Sequence, residues 1–196
     1  SDSLLEKASG EVFESFAGSG VFSSRVDTEM HFEIDDLPSC NLIARKRAVL
    51  KSNAWFDESL LTAEDSKMCF QLKEKGWKIV FSPKVIVYHH RRKLFIPHLK
   101  QVWNYGRDKA FLLKERFSLK RIYYLLPLAI VLYTLAGIIA SQFNEFLKLF
   151  FTATMIAYFL IAVFSSVLKN WRHSLLVFPG IILTHYTYGI AFFYGL

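Results

Sequence analysis

Hydrophobic positions follow two regimes along this chain. Before about residue 121, charges break them every few positions. From Ile122 to Leu196 only Glu145, Lys148, Lys169 and Arg172 carry full charge. Three windows in the second regime, roughly 122–140, 146–168 and 174–196, are each long enough to cross a hydrocarbon core. They lie far from the N-terminus and are too long for a signal peptide.

The first regime reads as short elements. Residues 1–24 are polar and weakly periodic, with Phe13, Phe16 and Phe22 as anchors. Asn41-Leu-Ile-Ala-Arg45 reads as a strand and Lys46–Lys51 as a short helix. A loop over 52–63 leads to a helix from Glu64 to Lys75, in which Met68, Cys69 and Leu72 recur at helical spacing; Gly76 supplies its left-handed stop. Trp77–Phe81 and Val85–His89 read as strands around the Ser82-Pro83 turn. Pro97 fits the first turn of a following helix whose apolar stripe is Leu99, Val102, Trp103, Gly106, Ala110 and Leu113, flanked by Lys100, Arg107 and Lys114. An apolar stripe beside cations suits a helix lying in the headgroup plane. Three strands are too few to enclose a large independent α/β core, so the part before the spans reads as half of a domain. The chain begins Ser-Asp-Ser, without Met, which also reads as a fragment of a longer parent.

Charge sharpens this organisation. The net charge is +7, yet residues 1–90 carry 11 basic and 14 acidic side chains, whereas residues 91–121 carry 10 basic and 2 acidic ones. A basic block just before a span meets anionic headgroups on the cytoplasmic side. This adjacency to a span favours lipid over nucleic acid as its partner. Lys169 and Arg172 place the loop after the second window on the same side. The part before the spans is therefore expected in the cytoplasm, the short 141–145 loop outside, and the C-terminus outside. Cys40 and Cys69 lack metal-ligand spacing and read as small core residues of a reduced protein.

Several residues could carry chemistry. Glu64-Asp65 opens a helix. Carboxylates there are favoured by free N–H groups and the dipole, so a capping role competes with that of a general base held by position. His89-His90-Arg91-Arg92 could ligate a metal or grip a phosphate, or simply run into the basic stretch. Gln101, Trp103, Asn104, Tyr105 and Arg107 could hold a sugar or lipid phosphate, or sit as interfacial aromatics and amides. Glu33, Asp35 and Asp36 form an acidic cluster without a second ligand set and are not read as a metal site. His185, with Thr184 and Tyr186 inside the third window, is more simply paired with a neighbouring helix than functional.

Taken in order, Leu37-Pro38-Ser39-Cys40-Asn41-Leu42-Ile43-Ala44-Arg45-Lys46-Arg47, Phe56-Asp57-Glu58-Ser59-Leu60, Ala63-Glu64-Asp65, Gly76-Trp77-Lys78-Ile79, Ser82-Pro83, Val87-Tyr88-His89 and Gln101…Tyr105-Gly106 resemble the C-terminal half of a membrane-anchored family 2 glycosyltransferase of the exopolysaccharide (succinoglycan-like) type. The closing Thr184-His185-Tyr186…Gly189…Gly195-Leu196 looks like the last helix of such enzymes. The resemblance implies an inverting enzyme with a partial GT-A, Rossmann-like α/β fold over residues 1–95, an amphipathic interfacial helix over 96–121, and a membrane domain of three transmembrane helices over 122–196. It implies Asp65 as catalytic base, with Glu64 orienting it. It implies substrate-binding roles for Asn41, His89, Arg92, Gln101 and Tyr105, and makes His89 a candidate metal ligand. A divalent metal (Mg or Mn), a nucleotide-sugar donor and a lipid-linked polyprenyl acceptor complete the expectation. Asn104 and Tyr105 stand where processive members carry Arg-Trp, which argues against a processive synthase. The family's Asp-x-Asp metal motif is absent from this chain, so the piece alone is expected to be inactive. The competing reading is a non-catalytic membrane scaffold with a degenerate glycosyltransferase-like domain.

Overall fold

The computed structural model describes residues 3–19 and 32–196. These form two compact units, one of residues 3–19 with 90–196 and the other of residues 32–89. Phe22 lies outside the described residues.

The expected α/β Rossmann-like layer is overturned. The protein is 71% helical. Its sheet has two short antiparallel strands, β1 (Phe32–Ile34) and β2 (Ile79–Phe81), with Glu33 opposite Val80. Only the Trp77–Phe81 segment keeps a strand. The segment expected as a strand from Asn41 is a 3-10 turn, Ser39–Asn41, followed by irregular chain. Val85–His89 is irregular and open, with Ile86 70% and Tyr88 99% exposed. β-Branched residues prefer a strand only where a neighbouring strand takes the backbone and one face is covered. Here β2 pairs with β1, and among the described residues the segment after Pro83 has no strand beside it.

In the smaller unit, α3 (Lys46–Ser52) and α4 (Glu64–Glu74) lie between the two strands in the chain and share a core with their sheet. Its core is Ile34, Ala48, Ala54, Met68, Cys69, Leu72 and Ile79, with Trp77 and Phe81 half-buried against it. Gly76, at φ +80°, provides the expected left-handed residue after α4. Cys69 is buried as expected. Cys40 is exposed, because the turn that carries it lies on the surface.

The larger unit is helical: α1 (Leu4–Glu14), α2 (Phe16–Ser19), α5 (Ile96–Glu115), α6 (Leu126–Ala140), α7 (Glu145–Asn170) and α8 (Ser174–Gly195). Local chemistry sets the starts. Ser3 and Glu6 form a reciprocal capping box on α1. Prolines sit in the first turns of α5 and α6, and Asn144 caps α7 through the Phe146 and Leu147 amides. Two helical segments are long and apolar enough to cross a membrane: 121–140 and 145–195. The second is bent at the 3-10 turn Trp171–His173, where Asn170 caps the Arg172 amide at 3.2 Å, and so comprises α7 and α8.

The stripe expected on α5 does meet a partner, and that partner is α8. Val102, Gly106, Ala110 and Leu113 are buried, and Trp103 remains at the rim. Contact is close because small residues face each other. A Cβ on Gly106 would lie 2.5 Å from the Tyr188 carbonyl oxygen and 3.0 Å from the Ala191 Cβ. One on Gly195 would lie 2.5 Å from the Arg107 carbonyl oxygen and 2.9 Å from the Ala110 Cβ. Small residues let two backbones approach where apolar burial alone gives little drive.

Gly106→Leu is therefore expected to separate α5 from α8, since the obstacle is backbone that cannot rotate away. The cost should be roughly 1–3 kcal/mol, read as a lower thermal midpoint in detergent micelles. Lys100→Ala, on the outer face of α5, should leave the midpoint within experimental scatter.

Candidate functional site

In the smaller unit the acidic pair is held by backbone. Ala63, buried at φ 63° and ψ 4°, occupies the left-handed region at the start of α4. A non-glycine residue there costs on the order of 1 kcal/mol. This bend delivers Glu64 and Asp65 into the first helical turn. Both are half-buried. The Ser39 amide donates to Asp65 Oδ2 at 2.9 Å, and the Ser66 amide donates to Oδ1 at 2.7 Å. Oδ2 keeps a second lone pair, while Oδ1 also has the Ser66 hydroxyl at 3.5 Å. The carboxylate is thus fixed in direction at a half-open position, the geometry a positioned proton acceptor needs.

The surrounding contacts stiffen this corner. The Ser66 hydroxyl donates to Asp36 Oδ2 at 2.7 Å. Asn41 ends the turn that supplies the Ser39 amide, and its side-chain amide donates to the Val85 carbonyl at 2.9 Å. The structure thus brings Asn41 and Asp65 onto one turn, while Asn41 itself is committed to the backbone. Before α4, Asp57 accepts from the Ser59 amide at 2.9 Å and from Lys67 Nζ at 2.6 Å. The Lys67 hydrogen bond is the main reason its carboxyl sits well below the usual carboxylate range, with the two Ser59 bonds adding to it. Glu33 and Asp35 engage Lys73 at 3.8 and 2.6 Å, and Glu33 also meets Lys78 at 3.6 Å. Lys73 thus bridges Glu33 and Asp35. His89 is exposed at the end of this unit.

In the larger unit, Gln101 and Tyr105 come together: the Gln101 side-chain amide donates to the Tyr105 hydroxyl at 2.8 Å along α5. The Phe13 ring of α1 lies 6.5 Å from the Tyr105 ring, edge on, and the Arg91 guanidinium lies 5.5 Å above the Phe13 ring. The pair thus belongs to a cation–aromatic group. Arg92 is exposed. Arg91 was singled out with its neighbours, but its place above the Phe13 ring was not, because Phe13 and Arg91 are far apart in sequence. Among the described residues no group of three or more His, Cys, Asp or Glu gathers to hold a metal ion.

A family model described as Glycosyl transferase family group 2 matches residues 2–193, nearly the whole chain. The chain belongs to this glycosyl transferase family. Searches of curated proteins and of solved structures gave no match. Membership brings glycosyl transfer in general to these residues and assigns a role to none of them individually.

One buried group of this glycosyl transferase was not singled out in the sequence. His98 is fully buried between α1 and α8, 2.8 Å from the Ser9 hydroxyl through Nδ1 and 2.8 Å from the Thr184 hydroxyl through Nε2. Thr184 donates its own proton to the Gly180 carbonyl at 2.7 Å, so it accepts from Nε2–H, and Nδ1 accepts from Ser9. The signal was available: His98 stands four residues before Val102 on the buried stripe. Burial, with the nearby Arg91 charge, pushes the His98 imidazole down to about 4.

The sign of the resulting pH effect is definite. The unfolded chain takes up a proton near the ordinary pKa of 6.5 and the folded one near 4, so His98 favours folding above about pH 6.5 and that contribution fades as pH falls toward 4. The shift corresponds to about 3 kcal/mol at most. The expected outcome is an unfolding midpoint that falls between pH 6.5 and 4 and falls less in His98→Gln, checked by denaturation of both forms across that range.

Proposed function

We propose that this protein transfers a sugar from a nucleotide-sugar donor to a lipid-linked acceptor at the cytoplasmic face of a membrane, with Asp65 as the base. The observation that carries this reading is the half-buried Asp65 carboxylate, aimed by the Ser39 and Ser66 amides behind the strained Ala63 bend, in a chain of the glycosyl transferase family.

In this reading an acceptor hydroxyl approaches Asp65 and attacks the anomeric carbon of the donor. A new carbon–oxygen bond forms from the hydroxyl oxygen. The bond to the nucleoside diphosphate breaks and leaves its electron pair on the phosphate oxygen. The hydroxyl proton ends on Asp65. Rate comes from alignment more than basicity, since a carboxylate fixed by two amides loses no time to rotamer search. Glu64 supports the approach of the acceptor. Gln101 and Tyr105, with Arg91 above Phe13, offer amide, phenol and guanidinium groups suited to a phosphorylated headgroup. Exposed His89 and Arg92 remain candidates for contact with the donor diphosphate. The divalent metal implied by the resemblance finds no ligand cluster among the described residues, so no step is derived through it.

The membrane part of the reading rests on the two apolar helical segments, on the exposed apolar flanks of α6 and α7, and on the basic run before Ile122. Lys and Arg gather on the cytoplasmic side of spans, which supports a cytoplasmic side for the Asp65 chemistry in this reading.

Asp65→Asn keeps the size and amide contacts of the side chain and removes the proton acceptor. In membranes holding the full-length protein it should abolish transfer of radiolabelled sugar while membrane extraction and yield stay as in the parent. Retained turnover would remove Asp65 from the mechanism. Tyr105→Phe should weaken acceptor use and leave donor-only hydrolysis unchanged.

A further inference from the structure

The register of helix contacts in the larger unit conflicts with three spans in series. α6 and α7 run antiparallel as a hairpin: Gly137 faces the Phe151 ring, and the Tyr133 hydroxyl meets the Thr154 hydroxyl. α7 and α8 begin in the same way. Asn170 meets His173 at the turn at 3.0 Å, and Tyr158 meets His185 at 2.9 Å. Were α8 to continue beside α7, Gly195 would come level with α7 near Lys148, at the far side where α6 ends.

Gly195 is somewhere else. An added Cβ on Gly189 would run into the Pro127 carbonyl in the first turn of α6. Phe192 is fully buried with Tyr124 and Leu128, again where α6 starts. Gly195 lies on Arg107 and Ala110, the Tyr194 ring is 6.0 Å from Trp103, and Lys114 Nζ donates to the Leu196 carbonyl. The last turns of α8 thus sit beside α5 and the start of α6, on the side from which α6 sets out. The first turn of α8 is on that side as well, because α7 returns there. Glu11 of α1 meets His173 at 2.9 Å, and Glu14 meets Lys169 at 2.8 Å.

Charge points the same way. The helix laid against the second half of α8 carries Lys100, Arg107, Asp108, Lys109, Lys114 and Glu115. A charged side chain at the centre of a bilayer is costly unless it is paired or reaches water. A pair of helices so charged belongs at the boundary and not across the hydrocarbon. Meanwhile α8 is two-faced: Val177, Ile181, Thr184, Ala191 and Gly195 are buried, while Leu175, Leu183, Ile190, Phe193 and Tyr194 are exposed. That exposed strip is continuous in character with the exposed apolar flank of α7, from Leu160 to Leu168.

We infer that only α6 and α7 cross the bilayer and that α8, one continuous helix, lies within one leaflet with both ends on the same side. One face of α8 rests on α1 and α5 and the other lies in lipid acyl chains. The C-terminus is then on the same side as the basic segment before α6. This inference rests on the membrane reading above and changes its topology, since three spans would place Leu196 with the α6–α7 turn. Pro179 sits inside α8 and Gly180 packs on Val12 and Leu94, so the first half of the helix is shaped to receive α1 and not a lipid.

Three single-cysteine variants test it, made on a Cys40→Ser, Cys69→Ala background: Phe117→Cys before α6, Gln142→Cys in the α6–α7 turn, and Leu196→Cys. Sealed membrane vesicles are treated with a membrane-impermeant maleimide before and after permeabilisation. The expected result is that 117 and 196 behave alike and 142 behaves oppositely. Labelling of 196 together with 142 would overturn the inference while leaving membrane insertion intact. Full labelling of all three in sealed vesicles, with release of the protein by alkaline carbonate, would remove the membrane reading and the inference with it. Should Leu196→Cys fail to accumulate, a fluorescent reporter fused after Leu196 reads the same side: fluorescence in the cytoplasm supports two spans, and a dark, exported reporter supports three.

Discussion

The close approach of α5 and α8 is the contact on which the larger unit depends. Two helices meet at backbone distance only if the crossing points carry no more than a methyl group, and Gly106, Ala110, Ala191 and Gly195 meet that condition. His98 then fixes the level at which α5 meets α8, because its two nitrogens reach Ser9 and Thr184 on different helices. A neutral imidazole with both nitrogens engaged acts as a rivet. A protonated one would have two donors and face a Thr184 oxygen that can accept and a Ser9 oxygen obliged to reverse its bond. The order α1, α5, α8 is therefore set by a few small residues and one histidine, with the broad apolar surfaces turned outward.

How far the sequence disclosed this is best judged element by element. The helix from Glu64 and its stop at Gly76 were readable, because spacing and a left-handed glycine are local signals. The helices of the three apolar windows were readable for the same reason. The strands were not. Val85-Ile-Val-Tyr88 has strand composition, but a strand is a relation between segments, and a single segment carries no information about its neighbour. The partner of β2 is Phe32–Ile34, a segment that contains Glu33 of the acidic cluster and was given no strand in the sequence reading. Amphipathicity on α5 was visible in the spacing, but the helix that covers the stripe was not: Gly106 and Ala110 within it meet α8.

The candidate site divides along the same line. Glu64-Asp65 at a helix start was visible from residue type and position, whereas the Ser39 amide that aims Asp65 is backbone and leaves no mark in the sequence. Asp36, read with its neighbours as one acidic cluster, separates from them: it accepts from Ser66, while Asp35 and Glu33 meet Lys73. Gln101 and Tyr105, four apart on a helix, had to meet, and they do. What no spacing could offer was Phe13, brought to Tyr105 from a helix more than eighty residues earlier.

The polar groups inside the apolar helices follow one rule. His185 donates through Nε2 to the Ala17 carbonyl and accepts at Nδ1 from Tyr158; Thr134 meets Tyr186; Tyr133 meets Thr154. Each bond joins different elements, and each satisfies a group that would cost several kcal/mol if left bare in hydrocarbon. His185 therefore holds α2 and α7 to α8, and packing accounts for its presence in an apolar stretch. With those groups committed to assembly, the chemistry expected of a glycosyl transferase is left to side chains that are both fixed and open. Asp65 satisfies both conditions: its carboxylate is pinned from one side by two amides, and it stays half-exposed on the other.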